Sequence, residues 1–221
     1  MPKKLIKALS HRSDQDVHDL LADIYREARV IQNGKFWTTV NRFTDHTEPL
    51  APRVLTEIAW ALARRVPSET SVILGEEEKG ASIATAVSIL TGIPLVLARY
   101  YSYPIADVCP TSICTDIQHE YYSGQLIVNG LRKNQRVCII EDTVSTGGTA
   151  RALADVCKRA GARVIALVSA VEKVNYGGRN VVRERFGFDL AAILRIRVGP
   201  RKVTIVSKKP WESPVDGNPS V

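Results

Sequence analysis

The chain has 221 residues, enough to bury one full hydrophobic core and consistent with one domain or one domain with an appendage. A hydrophobic fraction of 45% and a charged fraction of 24% exclude a disordered or fibrous chain. The formal net charge of +7 admits two kinds of polyanionic partner, nucleic acid or a small phosphorylated substrate.

In chain order, residues 1–10 carry lysines but no apolar run of signal-peptide length, which predicts a soluble cytoplasmic protein. Residues 14–31 place Val17, Leu20, Leu21, Ile24, Ala28 and Ile31 at helical spacing. Residues 36–43 alternate bulky and polar side chains, as a strand does. One helix and one strand are fewer elements than a winged helix-turn-helix needs, so no nucleic-acid partner is expected. Residues 52–66 predict an amphipathic helix opened by Pro52. A strand at 71–74, a charged loop at 76–79, a helix at 81–90 and a strand at 95–98 follow. The uncharged stretch 81–98 has the length of a membrane span. Gly92-Ile93-Pro94 divides it into helix and strand, and no membrane partner is expected.

Residues 100–124 show no periodicity. Beyond the apolar run at 137–140 come a helix at 150–158, a strand at 163–171, a short helix at 179–186 and strands at 190–196 and 202–206. Strand and helix alternate, so an α/β fold with a central, mainly parallel sheet flanked by helices is predicted. Four cysteines stand at 109, 114, 138 and 157 without metal-ligand spacing. Cys138 and Cys157 are read as reduced core residues, and no protein-held metal is expected. The basic cluster Arg195, Arg197, Arg201, Lys202, Lys208 and Lys209 is read as a solvated face.

The most informative run is Val137-Cys138-Ile139-Ile140-Glu141-Asp142-Thr143-Val144-Ser145-Thr146-Gly147-Gly148-Thr149. A buried strand that stops at a turn and starts a helix puts that turn at the carboxyl end of a sheet, where open α/β sheets bind ligands. Glycines and hydroxyls at a helix start offer N–H and O–H donors and a positive dipole end, which suit a phosphate. The two carboxylates suit sugar hydroxyls instead. The run reads as a phosphosugar cradle with separate sugar and phosphate ends. Gly75-Glu76-Glu77-Glu78-Lys79-Gly80 repeats the strand-loop-helix arrangement, with one Lys and free N–H groups for a pyrophosphate. Mg²⁺ would ease the acidic triplet beside a polyanion. A charged surface turn is the other reading of this loop.

The run 137–149 resembles the phosphoribosyl pyrophosphate (PRPP) signature of the type I phosphoribosyltransferases at every class position. The loop 75–80 is similar to the Gly-x-Glu-x-Arg-Gly loop of the adenine- and xanthine-type subgroup, matching at Gly75, Glu77 and Gly80, with Lys79 in place of Arg. That subgroup often has a non-proline cis peptide here, at Glu77–Glu78 or Glu78–Lys79. Arg99 resembles the family's strand-end Arg that opens a mobile active-site loop, and His119-Glu120-Tyr121 resembles the Glu-Tyr of that loop. Glu172-Lys173 and Gly177-Gly178-Arg179 are also similar to the purine subgroup. The loop departs from the family in Tyr100-Tyr101-Ser102-Tyr103-Pro104, where lysines and glycines are usual. The lack of Lys from Tyr100 to Glu120 argues against the orotate-type enzymes.

The resemblance implies transfer of 5-phosphoribosyl from PRPP to a ring nitrogen of a purine or related heteroaromatic base, with pyrophosphate released. Glu141 and Asp142 would bind the ribose hydroxyls and stabilise the developing cation. Thr143, Val144, Ser145, Thr146, Gly147, Gly148 and Thr149 would hold the 5′-phosphate. Glu77, Glu78, Lys79, Gly80 and Arg99 would hold pyrophosphate with Mg²⁺, itself bound mainly through substrate oxygens. Glu120 would be the general acid/base near the accepting base. The family fold implies a core at about 52–196, a hood from about 1–50 and 197–221, and a homodimer. Three rival readings stand beside this one: a PRPP-sensing regulator without catalysis, an enzyme with a non-purine acceptor stacked on Tyr100, Tyr101 or Tyr103, and a PRPP synthetase.

Overall fold

The computed structural model describes residues 13–118 and 123–212. Among them, the elements in order are α1 (Asp14–Arg26), β1 (Arg29–Asn33), β2 (Phe36–Val40), α2 (Pro52–Ala63), β3 (Val72–Glu76), α3 (Ala81–Thr91) and β4 (Leu95–Arg99). There follow β5 (Ile113–Gln118), β6 (Ser123–Val128), β7 (Arg136–Val144), α4 (Gly148–Ala160), β8 (Arg163–Lys173), α5 (Gly178–Phe186), β9 (Ala191–Val198) and β10 (Val203–Ile205).

The main sheet runs β10-β9-β8-β7-β3-β4-β6-β5. Its five central strands, β9 to β4, are parallel, while β10 at one edge and β6-β5 at the other are antiparallel. Each face carries its own core. One contains α1, α2 and α3 side chains such as Leu21, Ile58 and Val87. The other packs Leu153, Val156 and Val182 of α4 and α5 against Leu74, Ile139 and Leu167. Residues alternate between the two cores along β3 and β7, and both strands are buried throughout their apolar runs, as a doubly covered parallel sheet requires. No helix among the described residues is long and apolar enough to cross a membrane.

Two sequence expectations are corrected. The helix expected over 14–31 ends at Arg26, with Glu27 as its cap. Val30 and Ile31 instead enter a hairpin, β1 with β2, in which Ile31 is half exposed. The Asn33-Gly34 pair and the β-branched residues before it are hairpin signals that outweigh continued helical spacing. The segment 100–124, read as loop, includes β5 and the first residues of β6, an antiparallel hairpin at the sheet edge. Its alternation is hidden because, within β5, Ile117 is the fully buried apolar residue and Ile113 is only partly buried against the same core. No peptide bond is cis among the described residues, the bonds of Glu77–Glu78 and Glu78–Lys79 included. All four cysteines are free, and Cys138 and Cys157 are buried, with burial pushing both thiols up to about 12.

Candidate functional site

The carboxyl ends of β3, β7 and β8 open onto one cleft. β7 runs on as buried backbone through Val144, and the chain then turns through Ser145 and Thr146 to Gly147, which caps α4. Gly147 has φ +78°, and an added Cβ would stand 2.8 Å from Cβ of Val181. Gly178, at the start of α5, donates its N–H to the Ser145 carbonyl at 2.9 Å. A Cβ there would lie 2.3 Å from that carbonyl oxygen. Glycine at both places lets α5 press directly on the loop and fix its course. The α4 N-terminus is left without a side-chain cap, with its first N–H groups free for an anion.

In this cleft Glu141 and Asp142 are joined by Glu76, the last residue of β3. All three are nearly inaccessible to solvent, at 4%, 6% and 5% exposure. Burial, together with the neighbouring Asp142 and Glu76 charges, pushes Glu141 well above the usual carboxylate range. Burial raises Asp142 to about 6, against the pull of Thr143 and of the Lys79 and Lys173 cations. Glu76 rises to about 7 through burial, with Glu78 and Asp142 adding to the shift. Oε1 of Glu141 is buried without a hydrogen-bond partner. A buried acceptor in that condition costs about 1–3 kcal/mol, which a hydroxyl-bearing ligand would relieve.

The opposite wall comes from chain before residue 50. Thr39 and Thr44 line the cleft. Lys79 reaches across to Asp45 at 2.6 Å. Asp45 in turn accepts the Asn41 N–H and the Thr44 hydroxyl. Tyr25 of α1, fully buried, meets the Thr143 hydroxyl at 3.2 Å. Lys173, at the end of β8, also lines the cleft although it is 2% exposed, and donates to the Thr38 hydroxyl at 3.2 Å.

The residues Glu141, Asp142, Thr143, Val144, Ser145, Thr146, Gly147, Gly148 and Thr149 are thus brought together, and Glu78 and Lys79 face them. Gly80 sits behind Glu141, where a Cβ would be 3.7 Å from Oε2 of that residue. Glu77 and Arg99 are placed elsewhere: they pair with each other at 2.5 Å outside the cleft lining. Glu120, with His119 and Tyr121, lies outside the described residues. Glu172 and Arg179 are buried partners at 2.9 Å, joined by Arg195 at 3.1 Å, and do not line the cleft. Arg195 therefore leaves the basic face assigned to it and becomes a core partner.

Sequence reasoning missed Glu76, Asp45 and the two threonines as parts of the site. Glu76 stood inside the singled-out run, and its place next to the apolar strand was the available signal. Asp45 offered none, since only the tertiary fold brings it to Lys79. Among the described residues, no group of three or more His, Cys, Asp or Glu side chains is arranged to hold a metal by itself.

No family model matches the chain. It is 33% identical to a hypoxanthine/guanine phosphoribosyltransferase of Methanocaldococcus infernus over 84% of its own length and 98% of the relative's. A hypoxanthine/guanine phosphoribosyltransferase of Methanococcus maripaludis strain C5 is 30% identical over 85% of this chain and 98% of that one. Among solved structures, the adenine phosphoribosyltransferase of Trypanosoma brucei, in complex with AMP, pyrophosphate and ribose-5-phosphate, superposes with a TM-score of 0.66 at 18% identity. That match covers 83% of this chain and 81% of the other.

Proposed function

The chain belongs to the type I phosphoribosyltransferases of the purine group, and from that premise we propose that its acceptor is a 6-oxopurine such as hypoxanthine or guanine. The reaction is PRPP-dependent transfer of phosphoribosyl to a purine, with pyrophosphate leaving. Two observations support the 6-oxo choice. The relatives that match over nearly their full length carry that name. Lys173, whose ammonium group has only donors, stands in the cleft wall, where a C6 carbonyl fits and an amino group does not.

The observation that carries the assignment of roles is the pairing of the unpartnered Glu141 oxygen with the glycine- and hydroxyl-lined turn. Glu141 and Asp142 accept the ribose hydroxyls. As the C1–O bond to pyrophosphate breaks, their charge stabilises the oxocarbenium-like sugar. The turn from Thr143 to Thr149 holds the 5′-phosphate through backbone N–H groups and hydroxyls. Glu78, Lys79 and Gly80 form the leaving-group end. The purine ring nitrogen attacks C1 from the hood side, where Thr38 and Thr39 face Lys173. Positioning and exclusion of water suffice here, and the protein supplies no covalent nucleophile.

Mg²⁺ belongs with PRPP in this reading. An oxygen-rich cleft with three buried carboxylates, one holding an unpaired oxygen, fits a hard cation carried in on the substrate's own oxygens. Glu141 and Asp142 would face that complex, and no side chain is assigned as a ligand. When bound, the cation would neutralise charge on pyrophosphate. Arg99 and Glu120 stay assigned to the leaving group and to acid/base work on the family resemblance. The division into core and hood and a homodimer rest on the same resemblance. The deciding experiment follows pyrophosphate release and product mass with PRPP, Mg²⁺ and, in turn, hypoxanthine, guanine, xanthine, adenine and orotate. Release with hypoxanthine or guanine supports the proposal, and turnover with adenine alone overturns it.

A further inference from the structure

The three acids of the cleft are not equivalent. Glu141 has an oxygen with no partner. The Asp142 carboxylate is hydrogen-bonded by Thr143, its chain neighbour. Glu76 alone is held by two donors from two separate segments. Its Oε1 accepts the Glu78 N–H at 2.9 Å, inside the leaving-group loop. The Tyr100 hydroxyl is hydrogen-bonded to the same carboxyl group. A buried carboxyl whose donors come from the protein is built to hold structure, whereas the one with an open oxygen is built to receive a ligand.

The surroundings of Glu76 sharpen this distinction. It pairs in register with Ala98 of β4, so the residues that follow on each strand are neighbours as the chains leave the sheet. Glu77 grips the exit of β4 from outside, through Arg99 at 2.5 Å and the Tyr100 N–H at 2.6 Å. Glu76 grips the same residue from inside, through its ring hydroxyl. Tyr100 is the first residue after β4 and packs its ring on the core beneath the β5-β6 hairpin. The charged groups facing Glu76 are Glu78 in the loop and Asp142 and Glu141 on β7. Lys79, the cation of this loop, is engaged with Asp45 across the cleft. Repulsion among the acids is therefore countered at Glu76 by hydrogen-bond donors.

We propose that Glu76 is a positioning residue for PRPP, a carboxyl that ties the leaving-group loop to the root of the β5-β6 hairpin through Glu78 N–H and the Tyr100 hydroxyl. Pyrophosphate arriving at Glu78 and Lys79 meets a loop already set by that tie, and the hairpin root is held in the geometry the loop needs. The inference rests on the transferase reading and deepens it.

The test is a double-mutant cycle on the full chain with Glu76→Leu, Tyr100→Phe and the pair. A leucine accepts from neither donor, so it cuts the tie at both ends. Glu76→Leu is expected to raise KM for PRPP about tenfold with kcat changed far less, and Tyr100→Phe to raise it by a smaller factor in the same direction. The pair is expected to match Glu76→Leu alone, since the tie is already cut. Glu76→Gln is the conservative control: its amide oxygen accepts the Glu78 N–H and its NH₂ donates to the Tyr100 hydroxyl oxygen, so KM is expected to stay within about twofold of wild type. Thermal melts check that each variant is folded.

An unchanged KM in Glu76→Leu, a Glu76→Gln KM as high as that of Glu76→Leu, or factors that multiply in the pair, overturns the proposal. If the wild type releases no pyrophosphate with any purine, the transferase reading falls by itself. The same cycle is then read on Kd for PRPP by calorimetry, where matching losses support the tie and multiplying losses overturn it.

Discussion

Glu141 and Glu172 stand on neighbouring parallel strands, near the same end of the sheet and at the same 4% exposure. Glu172 receives Nε and a terminal nitrogen of Arg179 and Nε of Arg195, while Arg179 also donates to the Leu190 carbonyl at 2.8 Å. Glu141 has a buried oxygen with no donor and two further acids beside it. Burial is equal and the supply of donors is opposite. Where α5 docks on β8, the fold completes its charge pairing. Where β7 meets solvent and ligand, it leaves charges uncompensated. Buried pairs are weak evidence of net stability, but an unpaired buried acid is strong evidence that something else completes it.

The largest expected effect lies on the paired side. Arg179→Met leaves Glu172 with Arg195 alone and releases Asp189 from its 2.8 Å contact. Breaking a buried pair from one side is expected to cost about 3–5 kcal/mol, read from urea unfolding. PRPP affinity of the folded fraction should change little, since Arg179 does not line the cleft. A loss below about 1 kcal/mol would break the comparison, because Glu172 would then need only Arg195 to stay buried.

On the unpaired side, the same kind of change works in reverse. Asp142→Asn is expected to lower kcat about 10²–10³-fold, by removing charge from the developing cation. Binding of ribose-5-phosphate should weaken much less, and equal losses would remove Asp142 from the sugar end. Stability should move the other way. The folded-state value of Asp142 is raised from 3.8 to about 6, so its contribution is fully present below about pH 4 and is lost as pH rises through about 6. Asp142→Asn should therefore melt higher than wild type at pH 8, with the gain vanishing near pH 4. In wild type, kcat/KM for PRPP should fall as pH drops below about 6, where Asp142 takes up a proton.

Gly178→Ala tests how closely the two sides are joined. Its Cβ would meet the Ser145 carbonyl at 2.3 Å, and backbone cannot swing aside as a long side chain can. Overpacking of this kind costs about 1–3 kcal/mol. Because the strain falls on the phosphate turn, KM for PRPP should rise with it. A stability loss without a change in KM would show that α5 supports the sheet but does not shape the turn.

What the sequence revealed follows the same division. The glycine-rich turn and the acid pair, brought together in one cleft, were legible because their parts are contiguous: an apolar strand, two acids, then glycines at a helix start. The doubly covered parallel sheet was legible from short apolar runs alternating with helical spacing. Asp45 and Tyr25 were not, since their partners Lys79 and Thr143 lie 34 and 118 positions away along the chain. Arg99 was chosen by type and place, and its pairing with Glu77 outside the cleft lining is a tertiary feature that a strand-end position does not foretell. Lys173 was noticed as half of an acid-base pair, but that it lines the cleft while Glu172 points into the core follows from strand alternation at the end of β8.

Tyr25 offers the smallest and most discriminating change. It is wholly buried in the α1 core, and its hydroxyl reaches Thr143 at 3.2 Å and is also bonded by Asn41. The bond is between neutral groups, so Tyr25→Phe should cost about 1 kcal/mol, against several for the charged network. The ring keeps its packing, and any effect on turnover must travel through the partners of the hydroxyl, Thr143 and Asn41. If Tyr25 merely anchors α1, stability falls and KM for PRPP holds. If the hydroxyl orients Thr143 for the sugar phosphate, KM rises by a few fold even under conditions where the variant is fully folded. The second outcome would make the chain before residue 50 a working part of the proposed phosphate end, and the contrast between Glu141 and Glu172 would then rest on a wall that this segment supplies.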